Sequence, residues 1–205
     1  MAKVHVIFHS LYGHVYRLAE AIAEGAREIA GTDAQVFQVA ETLPTEVLEK
    51  MGAVEPRKAF AKIPVADPKQ LADADAIVLG TPTRYGAATA EMRAFLDATG
   101  GQWASGALIG KVGSAFTSTA SQHGGQETTL LTISTFFYHQ GMVIVGVPYS
   151  TQELLNLTEI SGGTPYGAST IAGPRGERQP TGNELAIARA QGRHVAQIAS
   201  KLSAK

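Results

Sequence analysis

The run Val4-His5-Val6-Ile7-Phe8-His9-Ser10-Leu11-Tyr12-Gly13-His14 indicates the fold class of this 205-residue chain. Its first half is short, largely apolar and rich in β-branched residues, which predicts a strand. The stretch from Ser10 to Gly13 ends that strand, and the apolar residues that follow recur at helical spacing. Those residues are Leu18, Ala21, Ile22, Gly25, Ala26 and Ile29. The segment therefore predicts a strand, a tight turn and a helix in direct succession.

The rest of the chain repeats this alternation of strand and helix. Further strands are predicted at 35–39, 75–80, 111–116 and 142–147, and helices around 92–96, 130–138 and 183–202. Residues 40–69 predict a loop with at most a short helix near 45–51, and 148–180 predict a long loop before the last helix. Apolar strands alternating with helices favour a parallel sheet covered on both faces. Five such strands fit a doubly wound α/β fold with the flavodoxin-like order 2-1-3-4-5, as one domain over residues 1–205.

The composition narrows the functional classes. The chain is 44% hydrophobic and 17% charged, with a net charge of −1 and no basic cluster, which argues against nucleic-acid binding. Cysteine is absent, which excludes disulfides, thiol chemistry, Fe–S clusters and cysteine zinc sites. No apolar run approaches the roughly 20 residues that span a membrane, and no signal peptide is evident before the first strand. We therefore expect a cytoplasmic protein, and the low charge suggests surface buried between subunits.

The turn from Ser10 to Val15 is the first candidate site. Free N–H groups and the dipole at a helix start suit a phosphate, and Ser10 adds a hydroxyl donor. Gly13 permits positive φ, and His14 can donate to a phosphate oxygen. The alternative is an ordinary strand-to-helix turn. Neither G-x-G-x-x-G nor a P-loop is present, so a mononucleotide is favoured over NAD or ATP as the tightly held ligand.

Two further loops follow predicted strands. The loop Gly80-Thr81-Pro82-Thr83-Arg84-Tyr85-Gly86 combines a stiffening proline, backbone donors and the aromatic face of Tyr85. The loop 117–125 is dense in hydroxyls and small residues, which suits a polar ring or a ribityl chain. Each is alternatively a plain surface loop. Because ligands of such sheets bind beyond the carboxyl ends of the strands, the three loops together predict one site.

The histidines give little evidence of a metal or catalytic centre. His5 and His9 fall in the first strand and are interpreted as packed residues, and His194 as a solvated one. The chain contains no H-E-x-x-H motif, and no metal is predicted. His139, at the end of a helix, is by itself a favourable C-terminal cation. Spacing alone supports no Ser-His-Asp arrangement.

Five segments together resemble the WrbA, or tryptophan-repressor-binding protein, family. They are Ser10–His14, Gly80–Gly86, Thr99–Leu108, His139–Met142 and Gly162–Gly173. Members of this family are flavodoxin-like FMN proteins that act as NAD(P)H:quinone oxidoreductases. The resemblance covers essentially the whole chain, and a generic flavodoxin would lack the last three segments.

The resemblance implies a role for each loop. The residues implied at the FMN phosphate are Ser10, Leu11, Tyr12, Gly13, His14 and Val15. Those implied along the isoalloxazine are Pro82, Thr83, Arg84 and Tyr85, with His139 near the ring. Those implied at its other edge are Ser118, Thr119, Ala120, Ser121, Gln122, His123 and Gly124. Tyr12 would also approach the nicotinamide nucleotide, and Trp103 would flank the substrate. No side chain is expected to act as a catalytic nucleophile.

The resemblance also implies the reaction. FMN would supply the redox chemistry and the protein would position it. NADH or NADPH would reduce the flavin and leave before a quinone takes up two electrons, which is a ping-pong scheme. The alternatives are a non-enzymatic electron carrier or a regulatory flavoprotein, but carriers of the flavodoxin type tend to be markedly acidic. A homodimer or homotetramer is expected, with no nucleic-acid partner.

Overall fold

A computed structural model describes residues 1–203 and contains the expected alternation of strands and helices. The strands are β1 (Ala2–Phe8), β2 (Thr32–Gln38), β3 (Ala76–Pro82), β4 (Val112–Thr119), β5 (Val143–Ile144) and β6 (Ser169–Ile171). The α-helices are α1 (His14–Arg27), α2 (Thr45–Lys50), α3 (Val54–Arg57), α4 (Ala90–Asp97), α5 (Gly100–Ser105), α6 (Gln126–His139) and α7 (Gly182–Ser203). Three 3-10 helices cover Lys58–Phe60, Pro68–Asp73 and Gln152–Leu155.

The sheet is parallel and has the order β2-β1-β3-β4-β5, which confirms the predicted fold class. Side chains of β1 alternate between two cores, as the two-residue period of a strand requires. Val4, Val6 and Phe8 pack in the core with α1 and α7. Ile7 packs in the opposite core with α4 and α6. Both faces of the sheet are therefore covered by helices.

Two glycines let α1 and α7 approach each other closely. A Cβ at Gly25 would lie 2.0 Å from the carbonyl oxygen of Arg189, and one at Gly192 would lie 1.9 Å from that of Ile22. Neither distance is possible for a real side chain, so any larger residue would push the helices apart. This contact fixes α1, whose first turn borders the candidate site.

The region predicted as a long loop contains a sixth strand, β6, which corrects the five-stranded prediction. β6 pairs in parallel with the last residues of β4, Thr117–Thr119, whereas β5 pairs only with Val112 and Gly113. The amide of Val145 still donates to the carbonyl oxygen of Gly113 in β4. Beyond it the chain bonds to the segment before β6, since the amide of Val147 donates to the carbonyl oxygen of Pro165 at 2.9 Å. The segment before β6 thus takes the place beside β4 that a longer β5 would occupy.

Two short helices differ in how well the sequence indicates them. The predicted helix near 45–51 is present as α2. α5 was not predicted, because its first two residues, Gly100 and Gly101, are poor helix formers. No helix among residues 1–203 has the length and apolarity needed to traverse a bilayer.

Candidate functional site

A cavity of about 410 Å³ lies beyond the carboxyl ends of β1, β3 and β4. The strand order reverses between β1 and β3, and that is where sheets of this type bind ligands. Eleven of the residues that line it were predicted at the site: Ser10, Leu11, Tyr12, His14, Val15, Pro82, Thr83, Arg84, Ser118, Thr119 and Ala120. The structure thus brings the three predicted loops together around one cavity of ligand-binding size.

The first loop forms a tight turn that presents the start of α1 to the cavity. Gly13, the residue before the helix, has a φ of 89°, a left-handed conformation that favours glycine. Its amide donates to the hydroxyl oxygen of Ser10 at 3.1 Å, which closes the turn. The first N–H groups of any α-helix have no partner within that helix. Those of α1, which begins at His14, are therefore available to an anion.

His14 supports a phosphate at this position. Its side chain is buried, and its Nε2 has no hydrogen-bond partner among the described residues. Burial lowers the pKa of the imidazole, partly offset by backbone groups of Arg178 and Gly176. A buried ring nitrogen without a partner costs free energy, and once it carries a proton it would donate to a phosphate oxygen. The first loop therefore fits the phosphate of a mononucleotide such as FMN.

A network of charged side chains supports the loop from beneath. Arg57 donates from Nη1 to the carbonyl oxygen of Ser10 at 2.8 Å and to Oε2 of Glu41 at 2.9 Å. Glu41 in turn lies 3.3 Å from Nε2 of His9 and accepts from the amides of residues 42 and 43. Arg57 thereby connects the first loop, residues 10–15, to the segment after β2.

The same network contains a group with metal-ligand geometry. Ligand atoms of His9, Glu41 and Glu91 all lie within 4.8 Å of one another. Burial lowers the pKa of His9, which keeps the ring neutral. Burial opposes ionisation of Glu91, yet hydrogen bonds from its own amide and from Thr42 hold its pKa below the ordinary value. Because Arg57 already supplies the positive charge, these carboxylates have partners without a cation, and the absence of a metal stays a prediction.

The second loop ends in a strained turn. The backbones of Arg84 and Ala87 bond to each other at 2.8 and 3.1 Å, with Tyr85 and Gly86 between them. These two residues have φ values of 55° and 80°, the pattern of a type I′ turn. Tyr85 is the one non-glycine residue with positive φ among residues 1–203, and its ring is fully exposed. The turn thus projects an aromatic ring beside the cavity without burying it.

The third loop divides between two cavities. Ser118, Thr119 and Ala120 line the first cavity, whereas Gln122 and His123 line a separate one. Gln122 and His123 are the central residues of a turn in which the amide of Gly124 donates to the carbonyl oxygen of Ser121 at 3.2 Å. Contacts of FMN with the residues after Ala120 therefore stay a prediction.

Trp103 and His139 do not line this cavity. Trp103 lies on α5 with 62% of its surface exposed, and His139 is the exposed last residue of α6. Within one chain neither meets the three loops.

Six residues that line the cavity were missed by the sequence analysis. They are Met51, Ala172, Gly173, Pro174, Arg175 and Gly176. Five of them follow β6 directly, and the amide of Ala172 donates to the carbonyl oxygen of Thr119 at 2.8 Å. The pairing of β6 with β4 is thus what carries this segment to the cavity.

A buried carboxylate, Glu184, organises the segment around β6. It is fully buried and accepts from the amides of Gly162, Ile171 and Thr181 and from the hydroxyl of Thr170, at 2.8–3.1 Å. The guanidinium of Arg178 also donates to it, at 3.0 Å. Removing such a hub would leave several buried donors without a partner.

One signal in the sequence could have identified Glu184. The amide of Glu184 donates to the hydroxyl of Thr181 at 3.3 Å, and the amide of Thr181 donates back to the carboxylate at 2.8 Å. This is a capping box, and Thr181-Gly182-Asn183-Glu184 carries its T-x-x-E signature. The signature predicts the helix start, although not the additional donors that the carboxylate collects.

Comparisons with known proteins agree with this geometry. Residues 2–153 match the sequence profile of the NADPH-dependent FMN reductase family. A protein of Geobacter metallireducens named NAD(P)H dehydrogenase (quinone) is 61% identical, over 98% of both chains. One of the same name from Methanosarcina acetivorans is 58% identical over the full length of both. A solved flavodoxin, WrbA-like protein from Agrobacterium tumefaciens superposes with a TM-score of 0.68 at 25% identity, covering 98% of this chain and 99% of its own.

Proposed function

Because the chain belongs to the WrbA-like family of NAD(P)H dehydrogenases (quinone), we propose that it reduces quinones to hydroquinones with electrons from NADH or NADPH. Its membership in this family and its flavodoxin-like fold confirm FMN as the predicted cofactor. The site fits that cofactor, since a helix start, a left-handed glycine and an imidazole whose Nε2 has no partner among the described residues meet at one end of the cavity.

The reaction transfers two electrons. NAD(P)H gives up a hydride and becomes NAD(P)⁺, and the quinone gains that hydride and one proton to become the hydroquinone. FMN, held by the loops 10–15, 82–84 and 118–120, would supply the chemistry that links hydride acceptance to two-electron donation. We propose a ping-pong order, in which the oxidised nucleotide leaves before the quinone enters the same space.

The single observation that carries the proposal concerns the phosphate: within residues 1–203, the buried Nε2 of His14 has no hydrogen-bond partner. We assign the phosphate to the loop 10–15, with donors from the first turn of α1, from Ser10 and from His14. Arg57 holds the carbonyl of Ser10 and so keeps this turn in place.

We assign the isoalloxazine ring of FMN to the second and third loops. Pro82, Thr83 and Arg84 line one wall and Ser118–Ala120 another, while the exposed ring of Tyr85 borders the opening. Tyr12 is proposed to contact the nicotinamide nucleotide. Trp103 and His139 are proposed to reach the site from a neighbouring copy in a homodimer or homotetramer, which sedimentation of the purified protein would test.

Steady-state kinetics of the FMN-loaded protein test the proposed reaction. With benzoquinone as acceptor, both nucleotides should be oxidised, and double-reciprocal plots at several quinone concentrations should be parallel. Intersecting lines would contradict the ping-pong order. Loss of quinone-dependent oxidation altogether would contradict the enzyme and favour an electron carrier.

A matched pair of variants tests the phosphate assignment. His14→Phe keeps a planar ring but removes its N–H, and should weaken FMN binding by roughly tenfold or more, because a hydrogen bond to a charged group contributes about 1.5–3 kcal/mol. His194→Phe, on α7 away from the cavity, should leave FMN affinity unchanged. Equal affinities for the two variants would contradict the assignment.

A further inference from the structure

We propose that a groove beside the phosphate loop binds the 2′-phosphate of NADPH, so that this chain prefers NADPH to NADH. This inference rests on the proposed function, since it concerns the nucleotide that reduces the same site. The groove, about 800 Å³ in volume, lies between α1, the α2–α3 region and the segment after β6. It is distinct from the cavity assigned to FMN.

The groove continues from the FMN cavity along one side of Tyr12. The two share Tyr12, Met51, Arg175 and Gly176 in their walls. The hydroxyl of Tyr12 donates to the carbonyl oxygen of Met51 at 3.1 Å, which holds the ring between the two spaces. A dinucleotide with its nicotinamide at the open side of the first cavity could therefore extend its adenosine half past Tyr12 into the groove.

Two arginines give the groove its charge. The groove is lined by Arg17, the fourth residue of α1, and by Arg175, in the segment after β6. Both side chains are exposed. Within residues 1–203, neither guanidinium lies in an ion pair. Arg189 and Arg193 on α7, by contrast, pair with carboxylates of α1 at 3.0 and 2.9 Å. Two guanidinium groups thus line one groove without a carboxylate in ion-pair contact within the described residues.

The carboxylates near the groove offset this charge only in part, and the lining keeps a net positive charge. Glu20 lines the groove, but the hydroxyl of Tyr16 donates to it at 2.5 Å. Glu177 accepts from the amide of Arg175 at 2.7 Å, not from its guanidinium. The charged side chains that line the groove are therefore two arginines and one glutamate.

This arrangement distinguishes the two nucleotides by charge. NADPH carries a 2′-phosphate with close to two negative charges at neutral pH, where NADH has a hydroxyl. Arginine matches phosphate geometry and is the residue that accommodates a 2′-phosphate in other dinucleotide sites. A hydroxyl would gain little from two guanidinium groups, so the groove favours NADPH.

The test measures kcat/KM of the FMN-loaded protein for NADPH and NADH with benzoquinone as acceptor. We expect the wild type to prefer NADPH by about tenfold or more, as charge-assisted contacts are strong. Arg17→Met and Arg175→Met should each lower this ratio severalfold, and the double variant should bring it close to one. Arg93→Met, an exposed arginine of α4 outside both cavities, is the matched control and should keep the wild-type ratio.

A binding measurement gives a readout that does not depend on turnover. Calorimetric titration of the FMN-loaded protein should show tighter binding of adenosine 2′,5′-bisphosphate than of 5′-AMP, and the double variant should abolish the difference. A wild-type kcat/KM ratio near one, or equal affinities for the two probes, would overturn the 2′-phosphate site while leaving quinone reduction intact. An absence of turnover with either nucleotide would instead count against the proposed function.

Discussion

The phosphate loop, residues 10–15, and the β6 wall, residues 172–176, border the same cavity but are positioned in different ways. The phosphate loop is a local structure, a strand end, a left-handed glycine and a helix start within a few residues. The β6 wall depends on β6 pairing with β4 and on Glu184, a carboxylate in the next helix. One side of the site is therefore encoded by neighbouring residues and the other by a distant contact.

Because the two sides of the cavity are held in place differently, substitutions in them should affect FMN affinity and stability differently. A substitution in the phosphate loop should reduce FMN affinity with a limited loss of stability. A substitution at Glu184 should reduce stability first, and FMN affinity as a consequence, because the wall is held by the fold.

The largest effect is expected for Glu184→Gln. The change keeps the shape of the side chain but leaves the guanidinium of Arg178 without its counter-charge. We expect a loss of about 3–5 kcal/mol in the free energy of unfolding, measured with urea, since breaking one partner of a buried pair has that cost. FMN affinity should fall as well, because the β6 wall would no longer be fixed.

An exposed ion pair provides the control for Glu184. Glu28→Gln breaks the contact with Arg193 at 2.9 Å, in which both side chains are substantially exposed. Such pairs contribute at most about 1 kcal/mol. If Glu184→Gln lost stability but bound FMN as tightly as Glu28→Gln, the β6 wall would have no part in cofactor binding.

A second prediction compares two glycines of similar conformation. Gly13 has a φ of 89° and Gly31 one of 75°, and a Cβ at either would meet no atom within 4 Å. Alanine at each should therefore cost about 1–2 kcal/mol of stability from backbone strain alone. Only Gly13→Ala should also weaken FMN, by tenfold or more, because relaxing its φ turns the first N–H groups of α1 away. Equal FMN affinity in the two variants would show that the loop 10–15 is an ordinary turn with no part in FMN binding.

A third prediction concerns the pH dependence of stability, since the imidazoles of His9 and His14 are buried beside the phosphate loop. Burial lowers the pKa of His9 and His14, so the unfolded chain takes up their protons near pH 6.5 and the folded chain only at lower pH. The unfolded state binds more protons in that window. The free energy of unfolding should therefore fall as the pH drops below about 6.5, by up to about 1.4 kcal/mol per pH unit for each histidine.

The substitution His14→Gln measures how much of this pH dependence of the free energy of unfolding comes from His14. The variant should lose stability more gradually than the wild type between pH 6.5 and the lowered pKa, and urea unfolding at several pH values would measure the difference. Identical slopes would show that His14 does not titrate between the folded and unfolded states in that range.

The smallest effect is expected for Trp103→Ala. Because the indole is 62% exposed, stability should change by no more than about 0.5 kcal/mol. If Trp103 reaches the site from a neighbouring copy, the KM for the quinone should rise by roughly two- to tenfold, since aromatic stacking contributes about 0.5–1.5 kcal/mol. Tyr149→Ala removes an aromatic ring that is also 62% exposed and should leave that KM unchanged. Equal KM values for the two variants would remove Trp103 from the substrate site.

The sequence by itself was sufficient for the elements whose signals are local. The alternation of Val4, Val6 and Phe8 with Ile7 matches the two cores on either side of β1. The break after the strand and the glycine at position 13 predicted the turn between β1 and α1, which is observed. Parallel strands joined by helices then left few possible orders, and the predicted one is observed.

The tertiary structure alone decided the parts of the site that depend on distant residues. Three residues are too few for an alternating hydrophobic pattern, so the sequence does not indicate a strand at Ser169–Ile171. They form β6 only because the end of β4 is free to pair with them. Glu184 accepts donors from residues up to 22 positions away, of which the T-x-x-E signature accounts only for the bond with Thr181. Local patterns reflect the geometry of one helix or strand, whereas a buried carboxylate takes whichever donors the folded chain brings to it.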